Sequence, residues 1–299
     1  MNPRVLALFG PTASGKTAVA GVLRDRLGAV VVSADSAALY SGLPVVTATP
    51  PYPALLVGTV ALDRSVSVGE YQRWAQAAID EAVESGSTVV VVGGTGLYFR
   101  AALSSLDLPA PAEPGRRAHW QQHYDEQGAE ATHALLAERD PAAAARVHAN
   151  DRKRVIRALE LAEAGSSLAP AEDLLWTAAM RRPTSVFALE LSLDELDRRI
   201  DARTEAMADA GAVAEAQAAW SSPLSETARK VLGVEQFATL PRAEAIDEVA
   251  RATKRLARYQ RKWMRNLRGA VTLDANRPAE EIADDIIALG RTGERLSGH

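Results

Sequence analysis

Cysteine is absent from this chain, which removes disulfides, thiolate metal sites and a cysteine nucleophile. Histidine is scarce, five in 299 residues and scattered, so a histidine metal cage is not expected. No apolar run approaches the roughly 18 to 20 residues of a membrane-spanning helix, and the first residues lack the charged-then-apolar pattern of a signal peptide. The expectation is a soluble, cytoplasmic protein with no membrane partner. What remains is enough for a globular core: 47% of residues are apolar, fitting one large domain or a core domain with a sizeable insert. A net charge of −4 argues against an evenly spread nucleic-acid-binding surface. The distribution of charge along the chain therefore matters more than its sum.

The clearest pattern comes early. Residues 4–9 read as a short buried strand and 16–27 as a helix with apolar positions Val19, Ala20, Val22, Leu23 and Leu27. Between them stands Gly10-Pro11-Thr12-Ala13-Ser14-Gly15-Lys16-Thr17, a match to G-x-x-x-x-G-K-[ST] in the strand-to-helix context that pattern requires. Backbone amides in such a turn wrap a phosphate, the helix start adds its dipole, the lysine supplies charge and Thr17 can reach a Mg²⁺ ion. Two more continuous apolar runs, 30–33 and 88–92, read as buried parallel strands, and they lead into Asp35 and Thr95. Ligands of such sheets gather at the carboxyl ends of the strands, so Asp35 and Thr95 are expected beside Lys16. The run at 88–92 ends in Gly93-Gly94, where many ATP-hydrolysing loop proteins carry a metal-binding acid. The phosphate ligand therefore need not be ATP.

Several stretches together resemble the tRNA dimethylallyltransferases, also called tRNA isopentenyltransferases. They are GPTASGKT (10–17), ADSAALYSGLPVVTATP (34–50), VSVGEY (66–71), VVVGGTGLYFRAAL (90–103), DPAAAARVHANDRKRVIRALE (140–160), LDRRIDARTEAMADAG (196–211) and RLARYQRKWMRN (255–266). The resemblance implies magnesium-dependent transfer of a dimethylallyl group from dimethylallyl diphosphate to the exocyclic N6 amine of the adenosine 3′ of the anticodon in tRNA. It places Asp35 as base or acceptor for the attacking amine, Thr95 as a diphosphate contact and Arg203 as the cation on the leaving group. Residues 10–17 would then hold a diphosphate. The sequence departs from the family pattern at Ala38, where a glutamine is common, and at Ala54-Leu55-Leu56, where a His-His-Leu stretch is common. It departs again at Gly233-Val-Glu-Gln236 and Gln260-Arg-Lys-Trp263.

The expected architecture is α/β: a P-loop NTPase-like parallel sheet core flanked by helices, interrupted by a helical insert. The core spans 1–110 and 185–299. The insert, 111–184, is expected to carry helices near 115–128, 130–138, 141–146 and 151–164, then a loop with Pro170 and Pro183 before a strand at 185–191. By resemblance it grips the anticodon arm, with Arg152, Arg154 and Arg157 as candidate tRNA contacts. Over 251–268, Arg251, Lys254, Arg255, Arg258, Arg261, Lys262, Arg265 and Arg268 fall within an arc of about 140° that holds no acid. Such a face reads as polyanion-binding, with Arg258, Gln260 and Lys262 as tRNA contacts. Arg198, Arg199 and Arg203, among acids, all read as surface ion-pair partners from spacing alone, and only the resemblance sets Arg203 apart. From 276 onward an amphipathic helix and a disordered end are expected. The protein is taken to act as a monomer. Three rivals stand beside this reading: a P-loop small-molecule kinase in which Asp35 activates a hydroxyl, an isopentenyltransferase of free adenine nucleotides, and an RNA-binding relative without turnover.

Overall fold

The computed structural model describes residues 5–106, 108, 115–169, 179–267 and 269–292. The loop expected around Pro170, Arg268 of the basic helix and the disordered end lie outside them. The chain divides into two compact units, Met1–Leu106 with Ala178–His299, and Asp107–Thr177. The second unit thus starts and ends a few residues before the insert boundaries expected at 111 and 184. Residues 180–182 stay with the first unit because Met180 bridges to Ser104, while Arg181 and Arg182 both pair with Asp80.

In the first unit, strands β1 (Val5–Phe9), β2 (Val30–Ser33), β3 (Val89–Gly93), β4 (Thr184–Glu190) and β5 (Val271–Asp274) form one sheet in the order β2-β3-β1-β4-β5. Every pairing is parallel. The continuous apolar runs are explained by this arrangement, since a parallel strand covered on both faces has no polar side to show; β1 is buried at all five positions. Phe9 pairs with Gly93 on one side and Ala188 on the other, so β1 and β3 end at one level while β4 runs on to Glu190. Whatever follows β1 and β3 is therefore delivered to the same edge.

Helices α1 (Lys16–Leu27), α2 (Val68–Glu84) and α3 (Gly96–Leu103) follow β1, β2 and β3. The start of α2 is fixed by a capping box: Ser67 accepts from the Glu70 amide, and the Glu70 carboxylate accepts from the Ser67 amide. In the second unit, α4 (Arg116–Arg139), α5 (Pro141–Ala144) and α6 (Arg152–Glu163) enclose a small core of Trp120, Leu136, Val155 and Leu159. The break expected near 129 is present inside α4, at Gly128 with φ 82°. The first unit resumes after β4 with α7 (Leu193–Asp209), α8 (Ala212–Trp220), α9 (Glu226–Arg229), α10 (Val234–Thr239), α11 (Arg242–Arg265) and, after β5, α12 (Ala279–Thr292). Leu6, Leu8, Leu23, Phe187 and Ile286 meet in the main core, which ties α1 and α12 to one face of the sheet.

One buried charge organises the second unit. Glu160 is 1% exposed and accepts from Arg117 Nε and from Arg157 Nη1, each at 3.0 Å. Removing one member of such a cluster strands the others without a partner. Glu160→Ala is expected to destabilise this unit by about 3 kcal/mol, read as earlier unfolding in urea with proteolytic cleavage confined to residues 115–169, while Glu160→Gln loses less.

Candidate active site

Between β1 and α1 the backbone takes two left-handed residues, Ala13 (φ 63°) and Gly15 (φ 89°), the kind of turn that presents amides to an anion, and the Ser14 amide between them donates to the Pro11 carbonyl at 3.2 Å. The first-turn amides of α1 have no carbonyl four residues before them in the helix, so they too can face an anion. Lys16 crosses the loop and donates from Nζ to the Pro11 carbonyl at 2.6 Å. Burial lowers its amine to about 8; the Asp35 carboxylate opposes that shift and the Arg203 guanidinium adds to it. Ser14 is 1% exposed and its hydroxyl has no hydrogen-bond partner. That hydroxyl lies against Gly10, where an added Cβ would come within 2.7 Å of it.

Asp35 follows β2 and accepts the Ala37 amide on Oδ1 at 2.9 Å, which fixes the carboxylate against its own turn. Thr95 is the residue before α3, but its side chain caps nothing in the helix. Arg203 reaches in from α7 and donates from Nη1 to Thr12 Oγ1 at 2.9 Å. Its pKa is lowered by burial, with Asp35 acting against the shift. Thr12, Asp35, Thr95 and Arg203 all line one cavity of about 630 Å³, whose other walls include the apolar Ile200, Met207, Val231, Val249, Leu256 and Trp263. The three residues named as catalytic from sequence are thus brought together with the loop. Charge gathers at the loop side, and apolar surface extends from it. Glu215 on α8 accepts from both Val45 N (2.9 Å) and Val46 N (2.8 Å), pinning the segment whose Val46 and Thr47 line the cavity. Sequence reasoning missed Glu215, because nothing in a helix of alanines marks one acid as a loop clamp. Ala38 is buried.

The spacing of glycines in Gly93-Gly94-Thr95-Gly96 has a steric reason. A Cβ on Gly94 would fall 2.7 Å from the Gly10 carbonyl oxygen, and one on Gly96 would fall 2.0 Å from the Trp263 ring. The turn after β3 is therefore clamped between the phosphate-type loop and α11.

The cationic residues need correction. Gln260, expected to face RNA, is 5% exposed and turned inward; its Oε1 accepts the Thr12 amide at 2.7 Å. The helical period puts it on the packed face of α11 with Ala257, opposite the charges. Nor is the cationic face free of acids once α7 packs beside it: Arg258 pairs with Asp197, Lys254 with Asp201 and Arg261 with Glu190. Among the described residues, Arg255, Lys262 and Arg265 are the exposed cations of that stretch left without a carboxylate. In the second unit Arg152 pairs with Asp125 and Arg157 with Glu160, three residues on, whereas Arg154 is exposed. Arg198 and Arg199 pair with Glu195 as the spacing suggests.

For a metal, the described residues hold no cluster of three His, Cys, Asp or Glu side chains. Thr17, exposed in the first turn of α1, is the one hydroxyl in the position the loop pattern assigns to Mg²⁺. One hydroxyl fits magnesium only if phosphate oxygens and water supply the remaining ligands, which is how that ion is commonly held.

A family model described as IPP transferase matches residues 38–267. A tRNA dimethylallyltransferase of Acidothermus cellulolyticus is 39% identical over 294 residues, 94% of this chain and 92% of the relative. That of Phenylobacterium zucineum is 40% identical over 282 residues, 89% of this chain and 90% of the relative. The structure of a full-length tRNA isopentenylpyrophosphate transferase from Bacillus halodurans is similar with a TM-score of 0.68 at 28% identity, covering 99% of each chain. A eukaryotic dimethylallyltransferase solved acting on tRNA has a TM-score of 0.81 at 20% identity, covering 99% of this chain and 81% of that one, a likeness of fold.

The lowered pKa of Lys16 has a measurable consequence. An anion binds the charged amine, so affinity for sulfate, whose own charge is constant here, is expected to fall as pH rises through about 8. Calorimetric titration between pH 6.5 and 9.5, in steps of about one pH unit, reads the change, and Lys16→Met is expected to flatten it.

Proposed function

The chain belongs to the IPP transferase family, and from that premise we propose that it transfers a dimethylallyl group from dimethylallyl diphosphate to the N6 amine of the adenosine 3′ of the anticodon in tRNA. The observation that carries this reading is the shared cavity: Thr12 of the anion-binding turn and Arg203 at one side, a carboxylate at Asp35, and apolar walls beyond them, with Lys16 close enough to feel the charges of both Asp35 and Arg203. A donor with a charged diphosphate and a short apolar tail matches that division. Relatives named tRNA dimethylallyltransferase support the same activity.

In the reaction, the N6 nitrogen attacks the allylic carbon, the new carbon–nitrogen bond forms and the carbon–oxygen bond to diphosphate breaks. The bonding pair leaves with the diphosphate, and the proton lost from N6 passes to the Asp35 carboxylate. The Ala37 amide on Oδ1 holds the carboxylate in place and leaves Oδ2 without a backbone donor. Gly10, Thr12, Ala13, Ser14, Gly15, Lys16 and Thr17 form the diphosphate cradle, with Thr95 a further contact. Developing charge on the leaving group is met by the loop amides, Lys16 and Arg203, already oriented before the bond breaks. Arg203 owes its aim to the Thr12 hydroxyl. Mg²⁺, held by Thr17 and the donor's phosphates, would add charge neutralisation when bound.

The RNA side of the reading rests on α11 and the helical unit. Arg255, Lys262 and Arg265 of α11 and Arg154 are available to meet phosphates, with Arg258 and Arg152 contributing only in part because each already faces a carboxylate. Among the described residues no helix is long and apolar enough to cross a membrane. We further infer that the protein works in the cytoplasm, where tRNA is met.

The test is a single-turnover assay with Mg²⁺, labelled dimethylallyl diphosphate and an anticodon stem-loop bearing adenosine 3′ of the anticodon. Label is expected on that adenosine, with transfer slowed about 10²-fold or more in Asp35→Asn while both substrates still bind. Equal rates in the two proteins would remove Asp35 from its role. Stem-loop affinity is expected to fall steeply with salt; Lys262→Ala should lower the log–log slope by about 1, and Arg258→Ala by less because Asp197 already neutralises it. Equal changes in slope would show the ion pair to be irrelevant to RNA binding.

A further inference from the structure

Gln260 sits among charged neighbours on α11 yet is nearly fully buried. Its Oε1 accepts the Thr12 N–H at 2.7 Å, and its Nε2 lies where a Cβ on Gly94 would come within 2.6 Å. Thr12 is therefore held twice, through its backbone by α11 and through its hydroxyl by Arg203 of α7. The next residue, Ala13, adopts φ 63°, a left-handed conformation that alanine rarely takes unless its surroundings impose it. The amide taken by Gln260 is also one that a phosphate could otherwise claim. With the Ser14 amide donating to the Pro11 carbonyl at 3.2 Å, its occupation leaves the Ala13 amide and those from Gly15 onward as the anion's donors.

We propose that Gln260 is a positioning residue of the anion site: by engaging the Thr12 amide it sets the turn at Thr12–Ala13, so that the following amides and the Arg203 guanidinium converge on one diphosphate. The proposal rests on the reading of the loop as a diphosphate cradle. It gives Gln260 no contact with the donor and none with RNA. It also makes the inner face of α11 part of the phosphate site, while its outer face carries Arg255 and Lys262. Donor binding and RNA binding are thus served by opposite sides of one helix.

The experiment is calorimetric titration of the full-length protein with inorganic diphosphate, without RNA, comparing the unaltered chain with Gln260→Met, which keeps length but removes the acceptor. The expected result is about tenfold weaker diphosphate binding, as for one lost hydrogen bond to a backbone amide, with stem-loop affinity unchanged. In steady state, KM for dimethylallyl diphosphate is expected to rise while KM for RNA stays constant. Unchanged diphosphate affinity, or a loss confined to the stem-loop, would overturn the proposal. If Gln260→Met does not fold, the Thr12 amide of the unaltered protein decides: slow hydrogen exchange by NMR without ligand is expected, and exchange as fast as in an open loop would overturn it. Failure of the unaltered protein to bind diphosphate at all would overturn the functional reading instead, a result separate from the Thr12 exchange.

Discussion

Lys16 and Arg203 are drawn close together and out of water while both carry positive charge, an arrangement that burial and mutual repulsion each oppose. Asp35 is what makes it tolerable, since its carboxylate favours the charged form of both. The three groups come from distant parts of the chain: the turn after β1, the turn after β2 and the middle of α7. They meet because β1, β2 and β3 end close to one level of a parallel sheet. An anion entering such a site offsets the repulsion between the cations, and a leaving group that gains charge during reaction is favoured for the same reason. The sheet is thus the means by which one unfavourable charge arrangement is held ready.

The second constraint is the packing of α11. Its inner face presses Trp263 onto Gly96 and Gln260 onto Thr12, so the helix closes the pocket from the side the sheet does not cover. Its flank is joined to α7 by Arg258–Asp197 and Lys254–Asp201. These exposed pairs are individually weak. Their effect is to spend part of a cationic stripe on holding the helix that delivers Arg203, leaving a smaller set of free cations for RNA phosphates. One helix therefore serves core, anion site and surface by its three faces.

Much of the core was legible in the sequence. The strands β1, β2 and β3 announce themselves because fully buried parallel strands must be apolar throughout, and α1 begins at Lys16 as the loop pattern demands. Asp35 and Thr95 converge because the rule that ligands gather at strand ends is a rule of topology, whereas Arg203, in the middle of α7, was legible only through the family resemblance. What could not be read is whatever depends on a partner remote in sequence. The face of α11 looks free of acids until Asp197, Asp201 and Glu190 arrive from elements more than fifty residues away. Gln260 looks like one more polar residue in a charged run until the helical phase is combined with the position of the loop. The Glu215 clamp on Val45 and Val46 joins an unremarkable helix to an unremarkable turn. Periodicity tells which face is buried, and only the tertiary structure tells against what.

The central claim is that the loop holds a leaving diphosphate and not a phosphoryl group in transit. Phosphorus NMR of a reaction containing the protein, Mg²⁺, dimethylallyl diphosphate, ATP and the anticodon stem-loop tests it directly. Inorganic diphosphate is expected in equal amount with the modified adenosine while ATP is untouched. Formation of ADP together with a phosphorylated product, and no free diphosphate, would contradict it.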